Sequence, residues 1–241
     1  MNFALNDIII YLLVFLSELI GTIIVFGSSA FFLPISVYLL SKNQSLGLLS
    51  FFQAATNPIK LLLFIKRIDW KIALIFGIPS LFMVGFASNL AKYVNTNHFR
   101  IGIASTLIIL ILLEILKGFK LPKNPLIELI GGMVSGFVSG LIGTGGAIRG
   151  YFMFSFDLPK EILIGTYILI DSSGDLLRAI IYFNNGFYDN TVNHYLAGAF
   201  ISSLLGNIIG IIILKKLPVH IFKPFLMVTI IILAILLLCG M

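Results

Sequence analysis

Gly140-Leu141-Ile142-Gly143-Thr144-Gly145-Gly146-Ala147-Ile148-Arg149-Gly150 interrupts a chain that otherwise reads as membrane. Glycine weakens a helix by roughly 1 kcal/mol per residue relative to alanine, so five glycines in eleven positions are expected to break one. A break at membrane depth leaves backbone N–H and C=O groups without helical partners. Such backbone is tolerated only where it is buried in protein or lines a polar cavity. The stretch is therefore a candidate binding site within an all-α polytopic membrane protein.

The surrounding composition agrees. Of 241 residues, 59% are hydrophobic and only 11% charged, with a mean hydropathy of +1.09; soluble domains carry about 25% charged residues. No long polar tract suggests an appended soluble domain, so one transmembrane domain over 1–241 is expected. The net charge of +6 is spread over helix ends rather than gathered in a basic, aromatic-interleaved run, which argues against nucleic acid. A single cysteine, Cys239, excludes an internal disulfide and a multi-cysteine metal site. The first apolar run lacks a cationic leader and a small-residue cleavage site, so it reads as a retained span.

Segments compatible with spans are 7–27, 46–65, 72–91, 99–116, 125–143, 161–183, 191–214 and 222–240, about eight transmembrane helices. Two shorter apolar pieces, 30–41 and 147–156, follow small-residue breaks and read as half-helices. Charged connectors fall at Lys66–Lys71, Lys117–Lys123 and Lys215-Lys216. Alternate loops carry seven against six Lys/Arg, so the positive-inside rule leaves the orientation open.

The second half overlays the first at an offset of about 117, giving repeats of about 5–118 and 123–241. Gly27-Ser28-Ser29-Ala30 falls on Thr144-Gly145-Gly146-Ala147. Asn57-Pro58-Ile59-Lys60 falls on Asp175-Leu176-Leu177-Arg178, and Asp69-Trp70 on Phe187-Tyr188. Gly77 and Gly85 then match Gly198 and Gly206, and Phe99-Arg100 matches Phe222-Lys223. A rival register aligning Glu18-Leu19-Ile20-Gly21 with Glu128-Leu129-Ile130-Gly131 loses these later matches. Repeats with helices interrupted at corresponding positions are the pattern of secondary transporters, whose substrate binds where the repeats meet. Half-helix N-termini there suit an anion.

Gly143-Thr144-Gly145-Gly146-Ala147, Ser28-Ser29-Ala30 with Pro34, the Asp69-Trp70 loop and Gly85 resemble the sulfite exporter TauE/SafE family over nearly the full length. Departures are serines for glycines in the first half, Tyr151 in place of a usual proline, and Arg149 inside the break. The resemblance implies transport of small sulfur oxyanions such as sulfite, sulfonates or sulfoacetate-like compounds. It also implies a prokaryotic cell-membrane location.

Lys60 and Arg178 occupy matching repeat positions, about five residues from the ends of their spans. They read either as a cation pair facing the anion, Arg178 bidentate and Lys60 a point charge, or as snorkelling side chains. Arg149 has apolar sequence on both sides, and an intramembrane arginine is usually paired or functional. With Ser28, Ser29, Asn57, Gly143, Thr144, Gly145 and Gly146 these make the candidate substrate site. Asp171 and Asp175 lie one turn apart, and Asp175 precedes Arg178 by three residues. They read as charge balance or, with mid-span Glu18, as carriers of a coupled proton. Asn57-Pro58 reads as a helix kink.

The alternatives are an ion channel and an intramembrane enzyme. Ser173-Gly174-Asp175 and Tyr188-Asp189 resemble aspartyl-protease elements, in reversed order. His98, His194 and His220 have no metal-ligand spacing, and no ATP-binding motif is present. The expected partners are a small anion and lipid, with no metal or cofactor; a homo-oligomer stays open.

Overall fold

The computed structural model describes residues 3–24, 27–115, 124–156 and 158–216. Among these the chain is helical: α1 Phe3–Ile24, α2 Ser29–Leu39, α3 Lys42–Phe64, α4 Trp70–Leu90, a single 3-10 turn at Ala91–Tyr93, α5 Thr96–Ile115, α6 Pro125–Ile142, α7 Gly145–Ser155, α8 Lys160–Asn184 and α9 Asn190–Lys216. The expected span 222–240 lies outside the described residues, as do Lys117, Lys120, Lys123, His220, Phe222, Lys223 and Cys239.

Local chemistry sets the helix ends. Ser41 and Gln44 form a reciprocal capping box on α3. The Asp69 carboxylate accepts from Ile72 N at 3.1 Å and starts α4, and Asn124 followed by Pro125 starts α6. Within the expected glycine-rich break only Gly143-Thr144 is non-helical. Gly143 adopts φ +90°, and its N–H donates to Ser139 O at 3.0 Å and Val138 O at 3.2 Å, closing α6. Gly140 stays in α6, and Gly145, Gly146 and Gly150 lie inside α7. At Gly140 and Gly145 the missing Cβ serves close approach: one on Gly145 would overlap Ser135 O, and one on Gly140 would meet Val84 O. Pro58 likewise sits inside a continuous α3.

Three helix pairs make the body: α4 with α6, α1 with α9, and α3 with α8. Gly132, Gly136 and Gly140 present a bare ridge of α6 to Phe76 O, Ser80 O and Val84 O of α4. Gly206 and Gly210 of α9 do the same against Phe15 O and Leu19 O of α1, and Gly198 receives the Tyr11 ring. Small residues let helix backbones approach in lipid, where packing and hydrogen bonds replace the hydrophobic effect between helices. The opposite face of α4 exposes Leu74, Ile78, Phe82 and Phe86 at four-residue spacing, as a lipid-facing stripe does.

Among the described residues five helices are long and apolar enough to cross a membrane: Leu5–Ile23, Lys42–Phe64, Trp70–Tyr93, Pro125–Ile142 and Asn190–Leu214. Helix α8, expected as a span over 161–183, is not among them because Asp171, Asp175 and Arg178 fall in its middle. Those side chains face protein at the centre of the bundle rather than lipid.

Candidate functional site

Gln53, Asn57 and Lys60 lie along one face of α3, and Asp171, Asp175 and Arg178 at the same spacings along one face of α8. Spacings of three and four place side chains on a common helical face. The two polar stripes meet. Asn57 Nδ2 donates to Asp175 Oδ2 at 2.6 Å and, at 3.4 Å, to Asp171 Oδ2. Arg178 Nη2 donates to Gln53 Oε1 at 2.5 Å and to Asp175 Oδ1 at 2.8 Å.

The remaining Arg178 donors hold the second break. Nη1 reaches Ser139 Oγ at 3.1 Å, Ser139 O at 3.2 Å and Gly143 O at 3.5 Å, so it sits on the turn where α6 ends, sharing Ser139 O with the Gly143 N–H. Arg178 is 1% exposed, and both of its terminal nitrogens are engaged with protein acceptors. Gly143 is enclosed by Leu33, Leu46 and Leu49, and Thr144 is buried. Arg149, equally buried, pairs through Nη1 with Asp171 Oδ1, contacts Ser80 Oγ at 3.4 Å and lies over the Tyr167 ring at 5.7 Å.

The first break is built differently. Gly27 turns the chain at φ +85° between α1 and α2. Ser28 Oγ donates to Glu18 Oε1 at 2.5 Å and accepts from Gln53 Nε2 at 2.9 Å. Lys60 Nζ stands 3.4 Å from Glu18 Oε2, with the lysine side chain 14% exposed. A cavity opens here, lined among others by Thr22, Gly27, Ser28, Asn57, Lys60, Tyr167 and Asp171. The Tyr167 hydroxyl and Asn57 Oδ1 are buried and have no protein partner. The two breaks adjoin, since a Cβ on Gly27 would come to 3.7 Å from Gly146 Cα and 3.5 Å from the Tyr167 hydroxyl oxygen.

Of the residues singled out in the sequence, Ser28, Asn57, Lys60 and Asp171 thus line the cavity. Arg149, Arg178 and Asp175 lie behind the lining in ion pairs, and Glu18 is held by two lining residues. Ser29, Gly143, Thr144, Gly145 and Gly146 do not line it. Gln53, Ser139 and Tyr167 were not foreseen. Gln53 carried a signal, since it continues the Asn57–Lys60 face one turn back; the other two are found only across the fold. Asp175 and Asp189 are not a catalytic pair: Asp189 accepts from Gln44 Nε2 at 2.7 Å and caps α9 through Val192 N at 2.9 Å. Among the described residues no three His, Cys, Asp or Glu side chains are grouped to hold a metal ion.

The loops that flank the stripes are locked crosswise. Phe187, before α9, covers Gly47 of α3, and Arg67, before α4, covers Gly165 of α8. Tyr188 beside it bonds Ser50 Oγ at 2.9 Å. Burial pushes the Tyr188 phenol above its usual range, against the opposing pull of the Ser50 bond and the Arg178 charge.

The family model of the sulfite exporters TauE/SafE matches residues 10–237, nearly the entire chain. No curated protein and no solved structure matches. The chain belongs to the TauE/SafE family, a family of membrane transporters, and is a multi-pass membrane protein.

Proposed function

With membership of the TauE/SafE family as the premise, we propose that this chain is a secondary transporter of small sulfur oxyanions: sulfite, sulfonates or sulfoacetate-like compounds. It works in a prokaryotic cell membrane by alternating access between two repeats. The substrate binds in the cavity at the first break. The observation that carries this reading is the juxtaposition there of the Lys60 ammonium, the N-terminus of the eleven-residue α2 and the unpartnered Tyr167 hydroxyl. First-turn amides lack intrahelical acceptors, and the helix dipole adds partial positive charge at that end. A tetrahedral or pyramidal oxyanion would take Lys60 on one oxygen, the positive end of α2 at its N-cap Ser28 on a second and Tyr167 on a third. Arg149 and Arg178 keep their carboxylate partners and set the wall of the site.

The repeat reading is supported by exchange of partners. The first helix of each half packs on the fourth helix of the other, α1 on α9 and α6 on α4. Gly47 and Gly165 receive the opposite half's loop and stand at the same offset of 118 that separates Asn57 from Asp175. Two bodies joined in this way can rock about the α3–α8 contact, which would expose the cavity alternately.

Uptake of labelled sulfite and of a labelled sulfonate into proteoliposomes tests the proposal. Saturable flux that Lys60→Ala lowers about tenfold or more is expected. Flux unchanged in Lys60→Ala would place the site elsewhere, and non-saturating ion conductance would make the protein a channel.

A further inference from the structure

Glu18 already occupies the place that an incoming oxyanion needs. Its carboxylate, 1% exposed, takes the Ser28 hydroxyl on one oxygen and the Lys60 ammonium on the other. Both partners belong to the cavity lining. A bound anion must therefore compete with a carboxylate fixed to α1 for the same cation.

The charge around the cavity sharpens this conflict. Glu18, Asp171 and Asp175 face Lys60, Arg149 and Arg178, three acids against three bases. A monoanion added to this balanced set leaves one negative charge in excess, and an uncompensated buried charge is costly. One proton restores the balance. Asp175 is held by Arg178 and Asn57, and Asp171 by Arg149 with Asn57 at longer range. Neither loses its cation when substrate arrives at Lys60. Glu18 does.

Resting on the reading of this cavity as the anion site, we infer that Glu18 is a tethered competitor whose protonation admits the substrate. One proton enters with each monoanion. The oxyanion takes Lys60, and the proton settles on Glu18 Oε2, the oxygen that Lys60 leaves. The other oxygen remains an acceptor for Ser28. The charged or titratable groups facing Glu18 are Lys60 from α3 and, across the cavity, Tyr167 and Asp171 from α8. Helix α9 packs Gly206 against the Glu18 Cβ and brings no charge there, and α2 contributes Ser28.

The test uses the full chain in lipid nanodiscs with methanesulfonate as probe, because its charge is constant across the working pH range. Calorimetry in two buffers of different ionisation enthalpy counts the protons taken up. The wild type is expected to take up about one proton per anion, with affinity falling about tenfold per pH unit once Glu18 is ionised in the free protein. Glu18→Gln is expected to bind with no proton uptake and no such pH dependence. Wild-type binding without proton uptake, or Glu18→Gln retaining the wild-type uptake, would overturn the inference. Should Glu18→Gln fail to fold, the wild-type proton count decides alone. Binding by Lys60→Met that equals wild type would instead sink the anion site itself. No binding of methanesulfonate or sulfite by folded wild type would remove both.

Discussion

At Gly27-Ser28 the chain turns beside a cavity, with Lys60 14% exposed and Tyr167 offering a hydroxyl that no protein group accepts. At Gly143-Thr144 a turn of nearly the same backbone is closed by Leu33, Leu46 and Leu49 and stapled to Arg178. Each turn releases an eleven-residue helix. Positive φ at a glycine therefore makes the break, and the surrounding side chains decide whether it is a site or a joint. The cation on α3 stands at an opening, whereas its counterpart on α8 is sealed among acceptors. Lys60 and Arg178, matched in the proposed repeat, stand in unequal surroundings.

The largest expected effect breaks the joint. Arg178→Ala leaves Asp175 buried beside Asn57 alone and takes the arginine donor from Gly143 O and Gln53 Oε1. Losing one member of a buried ion pair costs about 3–5 kcal/mol, so the protein should unfold well below the wild-type temperature in detergent melts. Asp175→Asn in the same background should restore part of that loss. If Arg178→Ala melts like wild type, the sealed break is not a joint.

Gly143→Ala comes next. A left-handed backbone costs a residue with a Cβ about 1–2 kcal/mol, and this Cβ would also crowd Leu33, Leu46 and Leu49. A lowered melting temperature is expected, with sulfite affinity little changed in the fraction that stays folded.

Lys60→Ala should invert that pattern. A hydrogen bond to a charged group contributes about 1.5–3 kcal/mol, so flux of labelled sulfite should fall about tenfold or more. Stability should shift less than in Arg178→Ala, since the side chain reaches the cavity. Equal effects of the two cation variants on flux and on melting would erase the distinction between site and joint.

The smallest effect is reserved for Tyr167→Phe. Its hydroxyl has no protein partner, so stability should hold while the apparent KM rises a few-fold, within the ~0.5–1.5 kcal/mol of a neutral hydrogen bond. A change in melting temperature without a change in KM would assign that hydroxyl to packing.

Much of the frame is legible in the sequence. Apolar runs locate the described helices within a few residues, and glycine and serine mark both breaks. Glycine count alone overstates the second one, because Gly140 and Gly145 serve contact with neighbouring backbones inside continuous helices. The polar centre is legible only in part. Spacing puts Asn57 with Lys60 and Asp175 with Arg178, but the bond from Arg178 to Gln53 spans 125 residues and leaves no local trace. The unequal exposure of Lys60 and Arg178 is likewise a product of packing. Both sit about five residues from a span end, and only the Glu18 cavity and the Ser139–Gly143 carbonyls distinguish them.

The glycine seam between α1 and α9 bears on how the molecule is made. Thr22 Oγ1 donates to Asn207 Oδ1 at 2.5 Å, and Asn207 Nδ2 to Thr56 Oγ1 at 2.9 Å, so α9 fastens both α1 and α3. Roughly 170 residues separate the end of α1 from the start of α9, about 10–30 s of synthesis at ~5–20 residues per second. Throughout that interval the helix bearing Glu18 waits in the bilayer for a partner still on the ribosome. A chain cut short before Asn190 would leave α1 with a buried acid, no glycine seam and no Asn207 to hold Thr22.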